Sequence, residues 1–242
     1  MMRKNVKSIV IGLLTLCGSF FVAAESALCP KNTNDRLCLD ASLQQLDRQV
    51  QGLSARVSAQ RPLPVSASDW RRQLQAHCQQ NRECLTRMLL QRRMALVVEL
   101  QTKQRFSDYP AAILEEASAP RLLSSSLPEG AERLLQQKLL SSEVELAGYY
   151  SQLQISCGEA CQKSWLLNLR TGRLLQNPFN SECPPRLLGY QPDSRLLVAE
   201  LPSEQWQARA TWQLYVLDAD RLTLLHTVEL PWQSQQHCQT LS

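Results

Sequence analysis

The sequence predicts an α+β protein, with a disulfide-stapled antiparallel helical domain followed by a small antiparallel β domain. Apolar residues recur at steps of three and four up to about residue 103, as on one face of a helix. Short segments rich in leucine, aromatic and β-branched residues, separated by turn residues, follow from residue 149. We expect a signal peptide over 1–24, a helical domain over 25–105, a linker over 106–145 and a β domain over 146–242.

The N-terminus has the parts of a secretory signal peptide. A basic start precedes the apolar stretch 8–22, which is short for a membrane span, and small residues precede Glu25. We therefore expect cleavage after Ala24 and a periplasmic or secreted protein with no stable membrane anchor. Two alternatives stay open: acylation of Cys17, as in a lipoprotein, and an uncleaved anchor.

The cysteines agree with export. The chain has nine, and Cys17 leaves with the signal peptide. An even number of cysteines in an oxidising compartment indicates disulfides, and their clustering favours local pairs. The candidates are Cys29, Cys38, Cys78, Cys84, Cys157, Cys161, Cys183 and Cys238.

Three helices are expected in the N-terminal half. The first spans 39–57, and the proline-containing segment 61–68 ends it and supplies a serine cap for the second helix, which carries Trp70. The third helix runs from about Glu83 to Lys103. Short links between the three favour an antiparallel arrangement, with Cys29–Cys38 pinning the segment before the first helix.

The rest of the chain changes character. Prolines and serines mark the linker, which contains a short helix at about 131–140. The five strand-like segments that follow are 149–155, 164–169, 194–201, 211–217 and 222–230.

Cys157 and Cys161 flank the sequence Gly-Glu-Ala between two strand-like segments. In one extended strand they would lie roughly 13 Å apart, at about 3.3 Å per residue, too far to bond. A three-residue hairpin loop would set them opposite each other, at roughly 5.5 Å between Cα atoms. The redox C-x-x-C spacing is missing. We expect a disulfide that pins a hairpin, with crossing to Cys183 or Cys238 as the alternative.

Charge divides the chain. Residues 25–105 hold 13 Lys and Arg against 7 Asp and Glu, whereas residues 106–242 hold 10 against 15. This asymmetry favours two modules over one continuous core. A face for an anion or a partner is expected on the basic helices, and nucleic acid is not expected because stacking aromatics and reading motifs are missing. The residues of this predicted face are Arg71, Arg72, Arg92 and Arg93.

Enzyme motifs are scarce. The chain lacks GxxxxGK, GxGxxG, GxSxG and HExxH, and its three histidines have no evident catalytic partners. We expect no catalytic residue, no cofactor and no metal site. Export makes a disulfide the easier fate for the His77-Cys78 region, Asp218-Ala-Asp220 suits a polar turn, and Glu143 and Glu145 suit solvated surface.

The helical part also carries a pattern of specific residues over about 28–103. Its members are Cys29, Cys38, Leu43, Leu46, Asp47, Trp70, Cys78, Cys84, Leu85, Arg92 and Leu96. This pattern resembles the N-terminal domain of the LprI-type lysozyme inhibitors, although the tyrosine usual in the first long helix is absent. The resemblance implies an exported helical module and a role in blocking lysozyme.

These observations favour a non-enzymatic binding protein that acts on a lysozyme-like hydrolase or another exported protein and protects the cell wall. The alternative is an envelope structural or assembly module that binds anionic polymers or another exported protein through its basic helices. In a variant, the basic and acidic halves dock on each other. A thiol–disulfide enzyme using Cys157 and Cys161 is a third class.

We predict that the exported protein begins at Glu25 and has no free thiol. N-terminal sequencing checks the cleavage, and titration with a thiol reagent in denaturant should find no thiols before reduction and eight after it. Free thiols in protein purified from the exported fraction would contradict the disulfide assignment.

Overall fold

The computed structural model describes residues 40–115, 131–141, 143–158, 161–175, 177–181, 183–203 and 209–234. Helices precede strands, so the α+β prediction with a helical part before a β part is confirmed. The described helices are α1 (Ala41–Ser58), α2 (Ala67–Cys78), α3 (Arg82–Thr102) and α4 (Ala131–Ser141). The predicted signal peptide, Cys29, Cys38, His237 and Cys238 lie outside the described residues.

The strands form two antiparallel sheets within the described ranges. A two-stranded hairpin joins β1 to β2, and a four-stranded sheet has the order β3-β4-β5-β6. The strands are β1 (Tyr150–Gly158), β2 (Cys161–Asn168), β3 (Arg186–Gln191), β4 (Ser194–Glu200), β5 (Arg209–Asp218) and β6 (Arg221–Gln233). Every strand except β3 lies where the sequence predicts one.

Local sequence sets the starts of the first three helices. Asp40, Ser66 and Asn81 cap α1, α2 and α3, each accepting a hydrogen bond from a backbone N–H in the first turn. Such caps satisfy donors that the helix itself leaves unpaired. Just before α3, the disulfide Cys78–Cys84, with its Cα atoms 5.4 Å apart, closes the α2–α3 turn.

Polar contacts fix the directions of the helices. Arg82 Nε lies 2.6 Å from Asp40 Oδ2, which joins the starts of α3 and α1. At the other end, Lys103 Nζ donates a hydrogen bond to Gln60 Oε1. Hence α1 and α3 run parallel, and α2 runs back between their ends. The hydrogen bond from Ser42 and then Arg82 hold the pKa of Asp40 below its usual range.

Helix α3 is buried on two sides. Leu85, Leu89 and Leu96 pack with α1 and α2 in a first apolar cluster. Val98 is fully buried in a second cluster, which it shares with residues of the four-stranded sheet such as Leu196. Two buried apolar faces are typical of a helix that lies between two layers, and α3 has this arrangement.

Both faces of the four-stranded sheet are covered. Along β4, Leu196 and Val198 face the cluster shared with α3. Their neighbours Leu197 and Ala199 face a different cluster, which includes Tyr150 of the β1–β2 hairpin. Side chains alternate between the faces of a strand, so a nearly continuous apolar run is needed where both faces are buried. The segment 194–200 supplies that run.

The hairpin in turn supports α4. Leu135 and Leu139 of α4 are fully buried against Trp165 and Leu167 of β2. Glu145 ties the two elements together, because its carboxylate accepts hydrogen bonds from Lys138 and from groups of β1. The expectation that Glu145 is solvated surface is therefore wrong. The layers follow the order α1–α3, four-stranded sheet, hairpin and α4.

A turn contact locks the hairpin onto the sheet. Ala219 and Asp220 connect β5 to β6 with φ values of 45° and 64°. Tyr150 Oη and Asn168 Nδ2 donate hydrogen bonds of 2.8 and 2.7 Å to Asp220 Oδ1. Desolvation, followed by the side-chain hydrogen bonds to Tyr149 and Asp220, raises the pKa of Tyr150 above its usual range. The predicted polar turn at Asp218-Ala-Asp220 is present, with Asp220 in a structural role.

The predicted hairpin between the two cysteine segments is present, with a different register. Ser156 lies opposite Gln162, and Gly158 lies opposite Cys161. Gly158 thus belongs to β1, the predicted three-residue loop is wrong by one residue, and Cys157 falls at an irregularity in the ladder. The side chains of Cys157 and Cys161 lie outside the description. Cys183 is disulfide-bonded.

Residues 106–115, which the sequence assigns to the linker, pack along the sheet. Phe106 is 4% exposed in the cluster shared with α3. Pro110 forms an isolated bridge with Ser194, and the N–H of Arg195 donates to the carbonyl of Tyr109 at 2.8 Å. The proposed domain boundaries stay a prediction, and the contact between the helices and the sheet is extensive at this point.

We predict that Leu89→Ala lowers the free energy of unfolding by about 2–5 kcal/mol, because it leaves a cavity among fully buried side chains. Leu90, the next residue, is 43% exposed, so Leu90→Ala should change that free energy by less than about 1 kcal/mol. Urea unfolding of both variants measures the difference. Equal effects would contradict the orientation of α3.

Candidate functional site

The four arginines of the predicted face do not line one surface. Arg72 is largely exposed on α2 and pairs with Asp69 at 3.1 Å. Arg92 turns toward Trp70, with Cζ 5.5 Å from the ring centroid. Arg93 donates a hydrogen bond to Gln49 of α1 at 3.1 Å. Consecutive helix residues point about 100° apart, so Arg92 and Arg93 serve different cavities.

A groove with a volume of about 770 Å³ lies between α3 and the edge strand β3. We call it the α3–β3 groove. The first turns of α3 form one wall, and residues 188–191 of β3 form the other. Its lining residues are Arg82, Glu83, Thr86, Arg87, Leu90, Gln91, Arg93, Met94, Phe106, Leu188, Gly189, Tyr190 and Gln191.

The groove exists because of how α3 crosses the sheet. The helix contacts both edge strands, β3 and β6, so it lies across the strands. It packs into the sheet cluster from Met94 onward. Its earlier turns border β3 and leave open space between helix and strand. A Cβ atom at Gly189 would lie 3.0 Å from Met94 Cγ, so the missing side chain lets helix and strand approach closely at the base of the groove.

The α3–β3 groove is apolar inside and basic at its rim. Leu90 is 43% exposed there and adds apolar surface to the groove. Among the rim arginines, Arg82 is neutralised by Asp40. Arg87 makes no ion pair with any described residue, and Arg93 bonds to the neutral Gln49. The arginines that line the groove therefore outnumber its one acidic lining residue, Glu83.

A second cavity of about 650 Å³ lies on the other side of α3. Trp70, Arg92 and Phe106 line it together with the loop at 191–193. Nε and Nη2 of Arg92 are buried and have no hydrogen-bond partner among the described residues. Desolvation lowers the pKa of Arg92, whereas Glu99 acts in the opposite direction. The stacking on Trp70 is thus the main direct contact of this guanidinium.

A buried ion pair closes the base of this second cavity. Glu99 and Arg105 are each 8% exposed and contact each other directly. Arg105 also donates a hydrogen bond to the carbonyl of Pro62 at 2.8 Å, which ties the end of α3 to the α1–α2 connection. Because its charges are paired and hydrogen-bonded, this group has a structural role.

The described parts of the chain bring no catalytic set together. His77 borders the second cavity and His226 lies on β6, both exposed. No group of three or more His, Cys, Asp or Glu side chains suited to a metal ion occurs among the residues that the structure describes. Within the same residues, no helix is long and apolar enough to cross a membrane.

Sequence reasoning missed one wall of the groove. The segment Arg186–Gln191 is short, contains glycine and follows two prolines, all of which are unfavourable for a strand. The segment is nevertheless a strand because it pairs with β4, with register shifts on both sides of Gly189. The sequence feature that indicates a strand here is the pair Leu187 and Leu188. Their side chains point to the two buried faces of the four-stranded sheet.

Comparisons with known proteins leave the family open. No protein-family model matches the chain, and no curated protein or solved structure matches it either. The resemblance to the LprI-type domain therefore stays a prediction.

Loss of charge at Arg92 and at Arg105, which both line the second cavity, should change the free energy of unfolding by different amounts. We predict that Arg105→Met lowers the free energy of unfolding by about 3 kcal/mol, because it leaves Glu99 buried beside an apolar side chain. Arg92→Met should change it by less than about 1 kcal/mol, since two of its nitrogens bond to nothing described. Urea unfolding at neutral pH compares the two, and a larger loss for Arg92→Met would contradict this assignment.

Proposed function

We propose that this chain is an exported, non-enzymatic binding protein that acts by surface complementarity at the α3–β3 groove. The observation that carries the proposal is the groove itself, which is open, apolar inside and bordered by Arg87 and Arg93, neither of which has an acidic partner among the described residues. Concave apolar surfaces with a few convergent polar groups are the usual form of a binding site.

The resemblance to LprI-type inhibitors supplies the first partner to test, a lysozyme-like hydrolase of the cell wall. In that version the protein occludes the cleft of the hydrolase and protects the wall. Common lysozymes are cationic, so the basic rim of the groove slows their approach. The acidic residues of the part after residue 106 act in the opposite direction.

Titration of the mature protein against a panel of lysozymes and related hydrolases tests this version. We expect inhibition of at least one member when the protein is in micromolar excess. Mature protein unfolded by reduction of its disulfides is the matched control and should not inhibit. Absence of inhibition across the panel would remove the hydrolase version.

The second candidate is binding of an anionic envelope polymer. The observation in its favour is that Arg87 and Arg93 have no acidic partner among the described residues. Attraction between exposed charges is screened by salt, so binding of a soluble polyanion should weaken steeply between about 50 and 200 mM salt. Binding that is independent of salt would exclude this candidate.

A further inference from the structure

We infer that the α3–β3 groove binds an extended acidic segment of a partner protein, with apolar side chains inside the groove and carboxylates at the arginine rim. This inference rests on the proposed function, because it names the kind of partner that the binding surface takes. Shape, apolar lining and charge support it separately.

The shape suits an extended chain. β3 stands at the edge of its sheet and pairs only with β4 among the described strands. Residues 188–191 of this edge strand line the groove, so an extended segment has room to lie alongside β3, while the carbonyl of Gln191 already accepts a hydrogen bond from the N–H of Ala147. The six residues Arg186–Gln191 match a segment of roughly 20 Å, at about 3.3 Å per residue. Since the register shifts at Gly189, the edge suits a short segment better than a long continuous strand.

The lining suits apolar side chains. Leu90 and Met94 of α3 lie across from Leu188 and Tyr190 of β3, and Phe106 closes the base. A polymer of charged groups alone has nothing to place against these residues. Removal of such apolar surface from water favours a peptide that alternates apolar and charged side chains, because one side of the extended chain then faces inward.

The charge selects an acidic segment. Arg87 is exposed and has no ion-pair partner in the described part of the chain, and Arg93 donates to the amide oxygen of Gln49. Arg82 already contacts Asp40, and Glu83 is the one acidic lining residue. Guanidinium groups bind carboxylates with two parallel hydrogen bonds. A basic segment would meet repulsion from the same rim.

Fluorescence anisotropy with a labelled peptide of about ten residues that alternates Glu and Leu tests the inference on the full mature protein. Two control peptides separate the contributions: one has Lys in place of Glu, and the other has Ser in place of Leu. We expect saturable binding of the Glu–Leu peptide alone, with an affinity that falls as salt is raised.

Matched variants locate the site. Arg87→Glu should weaken binding at least tenfold, whereas Arg72→Glu, an exposed arginine outside the groove, should change it less than twofold. Leu90→Asp should also weaken binding at least tenfold, with Leu224→Asp as the control, since Leu224 is equally exposed on β6. Circular dichroism and thermal unfolding confirm that each variant remains folded.

Four results would overturn the inference. The first is that the Glu–Leu peptide does not bind, or that Arg87→Glu and Arg72→Glu weaken its binding equally. The second is equal binding of the Glu–Ser peptide, which assigns the rim to an anionic polymer. The third is self-association by sedimentation that Leu90→Asp abolishes, which makes a second copy the occupant. Hydrolase inhibition that survives Arg87→Glu and Leu90→Asp would overturn the inference and place the inhibitory surface outside the groove, while inhibition itself would still be established.

Discussion

The rest of the structure depends on the burial of α3 from two directions. On one side Leu89 and its neighbours pack against α1 and α2, and on the other Val98 packs against the four-stranded sheet. One helix therefore joins the apolar cluster of the helical part to that of the β part. Loss of packing on either side exposes apolar surface on the other layer, because the burial of each depends on α3.

The same constraint creates the candidate site. A helix that crosses a sheet packs against that sheet only with the turns that lie over the strands, and for α3 these turns begin near Met94. The earlier turns keep their apolar residue Leu90 exposed and carry arginines next to the edge of β3. The groove thus follows from the geometry of packing between α3 and the sheet. Polar contacts that are fully paired, such as Glu99 with Arg105, stabilise the layers around it.

Charge acts differently on the two sides of α3. In the second cavity, the guanidinium of Arg92 is stacked on Trp70 and partly desolvated, which lowers its pKa. In the groove, Arg87 stays exposed and retains its full interaction with water and incoming anions. Two arginines five positions apart on one helix therefore have distinct roles, one in packing and one available for binding. Net charge counted along the sequence does not distinguish them.

The sequence by itself determined those helices, turns and strands that short stretches of neighbouring residues specify. The apolar stripes predicted α1 to α3, a serine cap predicted the start of α2, and the turn residues at 218–220 predicted the β5–β6 connection. Local spacing also predicted the hairpin at Cys157, although not its register, because a bulge depends on the partner strand.

Only the tertiary structure decided how these elements meet. β3 forms because β4 is available to pair with it, and the pair Leu187 and Leu188 is too short a pattern to predict this pairing by itself. The opposite orientations of Arg92 and Arg93 depend on which layers surround α3, so the predicted arginine face divided into two cavities. Local sequence carries information about backbone conformation and periodicity, whereas a groove requires residues about 100 positions apart to be brought together, and packing alone does that.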